Sequence, residues 1–325
     1  MLRFLLVGFG SIGKRHFDNL NEIGGVEVSV LSRRQIDLPS TRVYHSQADA
    51  LKDEFDAAFI TNETALHIPT AIAFAERGCH LFIEKPLSDS LRDVNKLTNL
   101  VSNYNLKVMI GYNMRFHPLV SRGKDFLQKG KIGRVVSARM EAGEYLPDWR
   151  PGRDYQNSYS ARKEKGGGVI LDLSHELDYA CWFFGEPEKV FSFSGKRSDL
   201  PIETEDVAEI LVEFQSGVWC QVHLDYIQRC PSRSFKLVGT EGIMLADLND
   251  SKMSVFAAGK EEWETFDIEG DFQRNTMYLN EVKHFIDYIN GSLPRPLIGL
   301  EDGIRVLNVA LAAKASAESG KVIAL

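Results

Sequence analysis

The sequence predicts an α/β chain in two parts. An N-terminal doubly wound parallel sheet occupies residues 1–120, and a C-terminal α+β domain with a mostly antiparallel open sheet occupies 121–325. Three observations predict it. Unbroken apolar runs alternate with helical patterns through the first 120 residues, the rhythm of a parallel sheet covered on both faces. From residue 133 onward the apolar residues alternate instead, in stretches such as "RVVSARMEA" and "AEILVEFQSGVWCQVHLDY", as half-buried antiparallel strands do. The length of 325 residues is enough for about two cores.

The first strand, 3–7, runs into "GFGSIG", after which Ile12, His16, Leu20 and Ile23 recur at helical spacing. Strand, glycine-rich turn and helix start are the context of the dinucleotide fingerprint Gly8-x-Gly10-x-x-Gly13. Gly8 permits the tight turn, Gly10 lets a pyrophosphate approach the backbone, and Gly13 lets helix and strand pack closely. The amides of Ser11, Ile12 and Gly13 would hold the phosphates with help from the helix dipole. A ligand-free glycine turn is the bland reading, and a signal peptide would want a longer apolar core. Opening a βα pattern favours the dinucleotide. Further strands fall at 26–31, 57–61, 79–83 and 108–111, and helices at 11–23, 65–77 and 90–104. The second strand ends in Ser32-Arg33-Arg34 with no acidic residue. A hydroxyl and a guanidinium there suit a ribose 2′-phosphate, so Ser32 and Arg33 favour NADP(H), with NAD(H) as the alternative. In the second part a hairpin turns at Gln215-Ser216-Gly217, one helix spans 171–184 and a last helix spans 303–319.

Composition excludes several classes. With 38 basic against 45 acidic residues and a net charge of -7, the chain carries no Lys/Arg cluster for nucleic acid. No apolar stretch approaches the length of a membrane span. Cys79, Cys181, Cys220 and Cys230 are scattered, as in reduced and mostly buried thiols of a cytoplasmic protein. No metal site is expected, because "HELDY" at 175–179 lacks the second imidazole of HExxH. The loop "EYLPDWRPGRDYQNSYSARKEKGG" brings Trp149, Arg150, Arg153 and Tyr155 together. Aromatic faces stack on sugar rings and arginine clamps carboxylates or phosphates, so a small carbohydrate-like substrate with an anionic group is expected. A contact loop between copies is the other reading.

"GCHLFIEKPLS" at 78–88 lies between "FITNETALHIPTAIAFAERG" and "IGYNMRFHP", and "KGGGVILDLSHELDYACWFFG" follows at 165–185. In that order, over nearly the whole chain, these motifs resemble the glucose–fructose oxidoreductase and inositol dehydrogenase (Gfo/Idh/MocA) family. The resemblance implies a Rossmann domain and an α+β domain whose open sheet joins a homodimer or homotetramer. It also implies hydride transfer between a nicotinamide cofactor and a hydroxyl or carbonyl carbon of a sugar, sugar derivative or cyclitol. Residue by residue, it implies Lys85 as the proton-transfer group, with Asp172 and His175 as catalytic partners. Asn62, His67, Glu84 and Asn113 would meet the cofactor, and Tyr112 and Arg115 the substrate. The chemistry agrees, since oxidising an alcohol requires a group that takes the O–H proton as hydride leaves carbon. One departure is the spacing Asp172-x-x-His175, one residue shorter than the family's. On a continuous helix, positions three apart still share a face. Two rival readings are an enzyme that keeps its cofactor without net turnover, epimerase- or glycosidase-like, and a non-catalytic dinucleotide sensor. A sensor needs neither Lys85 nor His175.

Overall fold

The computed structural model describes residues 1–325 except 153, 269 and 271. In chain order its first elements are β1 (Leu2–Val7), α1 (Ser11–Ile23), β2 (Val26–Leu31), β3 (Val43–Tyr44), α2 (Gln47–Ala50), β4 (Ala57–Ile60), α3 (His67–Ala75), β5 (His80–Glu84), α4 (Val94–Asn103) and β6 (Val108–Gly111). There follow α5 (Pro118–Gln128), β7 (Val135–Gly143), α6 (Val169–Asp172), α7 (His175–Phe184), β8 (Pro187–Gly195), β9 (Val207–Phe214), β10 (Trp219–Asp225), β11 (Ser232–Gly239), β12 (Gly242–Asp247), β13 (Lys252–Ala257) and β14 (Glu264–Asp267). The chain ends with α8 (Arg274–Ile289), α9 (Leu300–Ser319) and β15 (Ile323–Ala324). One compact unit comprises Met1–Asn113 and Gln273–Ile304, the other Met114–Phe272 and Arg305–Leu325. Two contiguous stretches were expected; instead the segment 273–304 returns to the first unit.

In that unit six parallel strands follow the order β3-β2-β1-β4-β5-β6. Strand order reverses between β1 and β4, the switch point at which open α/β sheets take ligands. Phe4, Leu5, Leu6, Ala57, Phe59, Ile60, Leu81 and Phe82 are all fully buried, which is why these strands read as unbroken apolar runs. The returning α8 packs on α1, and its Phe285 meets Phe59 at 5.4 Å and Phe82 at 5.6 Å between ring centres. The Ile298 carbonyl accepts a hydrogen bond from Ile110 N–H at 3.1 Å, so the same segment covers the edge of β6. The helix expected from residue 90 begins only at Val94, because Asp93 before it adopts φ 58.

The second unit holds nine strands in the order β14-β13-β12-β11-β7-β10-β9-β8-β15. Only β7 and β10 pair parallel; the other pairs are antiparallel. The β9–β10 hairpin turns where expected, with Gly217 at φ +81. Ala208, Ile210, Val212 and Phe214 point into the core, while Glu209 and Leu211 between them are exposed. Helices α6 and α7 pack on β7, β9 and β10. The single helix expected over 171–184 is corrected to two. Leu173 at ψ 34 and Ser174 at ψ 0 interrupt it, so Asp172 closes α6 and His175 opens α7. Cys79, Cys181 and Cys220 are buried thiols and Cys230 an exposed one. Among the described residues no helix is long and apolar enough to cross a membrane.

Candidate active site

β1 delivers the chain to Gly8 at the carboxyl edge of the parallel sheet. Gly8 has φ +97, and a Cβ there would lie 2.8 Å from the Asn62 Cα; one on Gly13 would lie 2.1 Å from the Gly8 carbonyl oxygen. Both positions therefore require glycine. Gly10 differs, since its Cβ position faces open space with nothing within 4 Å. Helix α1 starts there with no capping side chain and no acidic residue in its first turn. First-turn amides have no partner within a helix, so those of Ser11, Ile12 and Gly13 suit an anion from outside. These features fit a dinucleotide pyrophosphate. At the end of β2, Ser32 is buried, and its hydroxyl is used within its own turn. It accepts from Arg34 N–H at 3.1 Å and donates to the Arg34 carbonyl at 3.2 Å. Ser32 thus braces its own turn, and Arg33 beside it is exposed.

Thr61, after β4, donates its hydroxyl to the Gly8 carbonyl at 2.8 Å and braces the glycine turn. Asn62 Nδ2 donates to Thr70 Oγ1 at 2.9 Å. His67, buried at the start of α3, has Nδ1 2.8 Å from the Pro86 carbonyl and Nε2 3.2 Å from the Asn62 carbonyl. Burial lowers its pKa below 6.5, so the neutral ring has one N–H, which we assign to the shorter contact. His67 ties the segment after β4 to the segment after β5 from behind. Lys85 follows β5 directly, half-buried, and Pro86 follows it through a cis peptide bond. Glu84, expected beside the nicotinamide, turns inward. Its Oε1 lies 2.6 Å from His16 Nε2, and its Oε2 accepts the Lys85 N–H at 3.2 Å. His16 is completely buried, among the rings of Phe82, Phe59 and Tyr278. Glu281 of α8, also completely buried, brings its carboxylate to the same point, so that His16, Glu84 and Glu281 offer atoms within 4.8 Å of one another. Nothing in the sequence flags Glu281, and His16 reads there only as a buried helix position. Tyr112 and Asn113, at the end of β6, are buried too.

In the second unit Asp172 accepts three hydroxyls: Tyr159 on Oδ1 at 2.5 Å, and Ser160 at 2.6 Å and Tyr226 at 3.1 Å on Oδ2. Burial, then the charge of Asp172, pushes both phenols well above 10, so they remain donors. Asp172 therefore anchors the loop to its helix. His175 is buried at the first position of α7. Gly167 permits the close approach expected of glycines 166–168, because a Cβ there would lie 2.1 Å from the Tyr159 carbonyl oxygen. Arg115 was expected at the substrate. Its guanidinium is instead buried in a bidentate pair with Asp178, Nη2 to Oδ1 at 2.7 Å and Nε to Oδ2 at 3.0 Å. Trp149 lies edge-on to Tyr226 at 5.3 Å, Arg150 rides over the Tyr159 ring at 5.6 Å, and Tyr155 is half-buried. Arg153 lies outside the described residues.

A 3-2-1-4-5-6 parallel sheet with this glycine turn defines a dinucleotide-binding protein carrying a second, largely antiparallel unit. Residues 2–112 match the oxidoreductase family with NAD-binding Rossmann fold, and residues 120–245 match the Gfo/Idh/MocA C-terminal domain. The chain belongs to the Gfo/Idh/MocA family of NAD(P)-dependent oxidoreductases. It is 26% identical to a myo-inositol 2-dehydrogenase of Thermotoga maritima, over 100% of this chain and 98% of that one. It is 25% identical to an NADP(+)-dependent D-xylose 1-dehydrogenase of Haloferax volcanii, over 84% of this chain and 81% of that one. A levoglucosan dehydrogenase solved in complex with NADH and levoglucosan superposes with a TM-score of 0.87 at 20% identity, over 99% of both chains.

Proposed function

We propose that this chain moves hydride between NAD(P) and a hydroxyl- or carbonyl-bearing carbon of a sugar, sugar derivative or cyclitol, with Lys85 as the proton-transfer group. The observation that carries the reading is the place of Lys85, directly after β5 on the sheet edge where the glycine turn leaves β1. The dinucleotide, when bound, supplies the hydride acceptor or donor. Lys85 as a neutral amine takes the hydroxyl proton as the C–H bond gives up hydride, and as ammonium returns it in reduction. His175 and Asp172 belong to the same reaction, Asp172 through the loop geometry it fixes. Asn62 and Asn113 attend the cofactor, with His67 and Glu84 behind them, and Arg33 favours NADP(H). Tyr112, Trp149, Arg150 and Tyr155 attend the substrate, and the arginine favours an anionic one. Relatives acting on inositol and xylose support the substrate class. A cytoplasmic homodimer or homotetramer joined through the open sheet completes the reading.

The test begins with a screen of cyclitols, aldoses and sugar acids against NAD+ and NADP+. With the polyol so found, Lys85→Ala folds and binds cofactor while turnover falls by roughly 10²–10⁴. Lys85→Arg fails as well, because guanidinium does not release its proton near neutral pH. Near-normal turnover in Lys85→Arg would reduce the lysine to an electrostatic anchor. Cofactor that stays bound throughout, with no net reduction of it on any compound, would favour an enzyme that cycles its cofactor internally.

A further inference from the structure

We propose that His16 is a positioning residue that couples dinucleotide binding to Lys85; this rests on the reading of Lys85 as the proton-transfer group. The glycine turn and the first amides of α1 are the seat of the pyrophosphate, and His16 lies one turn further along that same helix. From there Nε2 reaches Glu84 Oε1 at 2.6 Å, and the other oxygen of that carboxylate holds the Lys85 N–H at 3.2 Å. An unbroken chain of hydrogen bonds thus runs from the phosphate-binding helix to the backbone of the lysine.

The surroundings specify the chain. His16 Nδ1 has no hydrogen-bond partner, so a proton there would be a buried donor left unmade. The ring therefore carries its proton on Nε2, aimed at Glu84. Glu281 brings a second buried carboxylate to the pair, with atoms within 4.8 Å of both. Phe59, Phe82 and Tyr278 fix the imidazole plane. A shared metal ion is the competing use of the same three residues. The 2.6 Å gap between Nε2 and Oε1 is a hydrogen-bond length, whereas two ligands of one zinc at about 2.0–2.1 Å stand roughly 3.3 Å apart.

ADP-ribose separates this coupling from direct contact, since it fills the pyrophosphate seat but lacks nicotinamide. In the wild-type protein, ADP-ribose should slow hydrogen exchange at the Lys85 amide as well as at the glycine turn. His16→Phe, which keeps a ring in the aromatic box, should lose the effect at Lys85 and keep it at the turn. His16→Gln, which restores a donor near Nε2, should regain it. With the polyol from the screen, His16→Phe should lower kcat by up to roughly 10²-fold, and should add nothing in a Lys85→Ala background. No slowing at Lys85 in the wild type would overturn the proposal without needing any variant. So would an additive loss in the double variant, or one equivalent of transition metal in the purified protein. The exchange measurement turns over no substrate, so a failure of the proton-transfer reading would leave its result standing.

Discussion

Arg33 stands exposed at the end of β2, where the ribose of a dinucleotide seated on the glycine turn would come to lie. A charge-assisted contact to a 2′-phosphate contributes about 1.5–3 kcal/mol. NADPH should accordingly bind roughly 10- to 100-fold more tightly than NADH, as read by titration of nicotinamide fluorescence, and Arg33→Asp should narrow or invert the ratio. Tighter NADH binding by the wild-type protein would sink the assignment. At this scale the sequence is informative about backbone and less so about side chains. Gly8, Gly10 and Gly13 are recognisable because only their spacing can serve the turn. The residue type of Ser32 suits a phosphate, but does not reveal that its hydroxyl also closes its own turn. Arg115 and Glu84 follow the same rule, since charge identifies a polar partner but not which one. Asp178 and His16 claim them through contacts far apart in the chain.

Helix α5 begins at Pro118 with His117 as its N-cap, and His117 Nδ1 accepts the Leu119 N–H at 3.2 Å. Burial first, and the charge of Arg233 second, lower the pKa of His117 from 6.5 to about 4. The folded state thus keeps this ring neutral where the unfolded chain would protonate it, so stability is complete above pH 6.5 and is lost as pH falls towards 4. The full shift corresponds to about 3 kcal/mol. His117→Asn keeps a capping acceptor and removes the titration. Between pH 7 and pH 4.5 its urea midpoint should fall less than that of the wild type; equal falls would acquit His117. Helix α1 and strands β2 and β6 follow from pattern alone, because their residues meet the core with the right period. The break between α6 and α7 does not. Nothing local opposes a helix through Leu173 and Ser174, and the hydroxyls that pin Asp172 come from Tyr159, Ser160 and Tyr226.

The nine-stranded sheet leaves one face uncovered. Phe193, Trp219, Leu211 and Leu245 stand on it 66%, 60%, 45% and 36% exposed, with Arg139 and Lys236 between them. If the open sheet joins copies of the chain, as proposed above, these exposed aromatic and aliphatic side chains are the contact. The expected outcome of Leu211→Glu combined with Trp219→Glu is a lower molar mass by light scattering, with unchanged affinity for cofactor; an unaltered mass would place the contact elsewhere. The return of 273–304 to the first unit has a consequence in time. A ribosome releases the six parallel strands early and α8 late. Until α8 emerges, Phe59 and Phe82 lack Phe285, and His16 and Glu84 lack Glu281. A nascent dinucleotide half therefore lacks its closing helix until the whole second sheet has been synthesised. A gene fragment encoding residues 1–113 is likewise no portable cassette, because recombination that carries it without its distant helix inherits a cofactor fold with a missing wall.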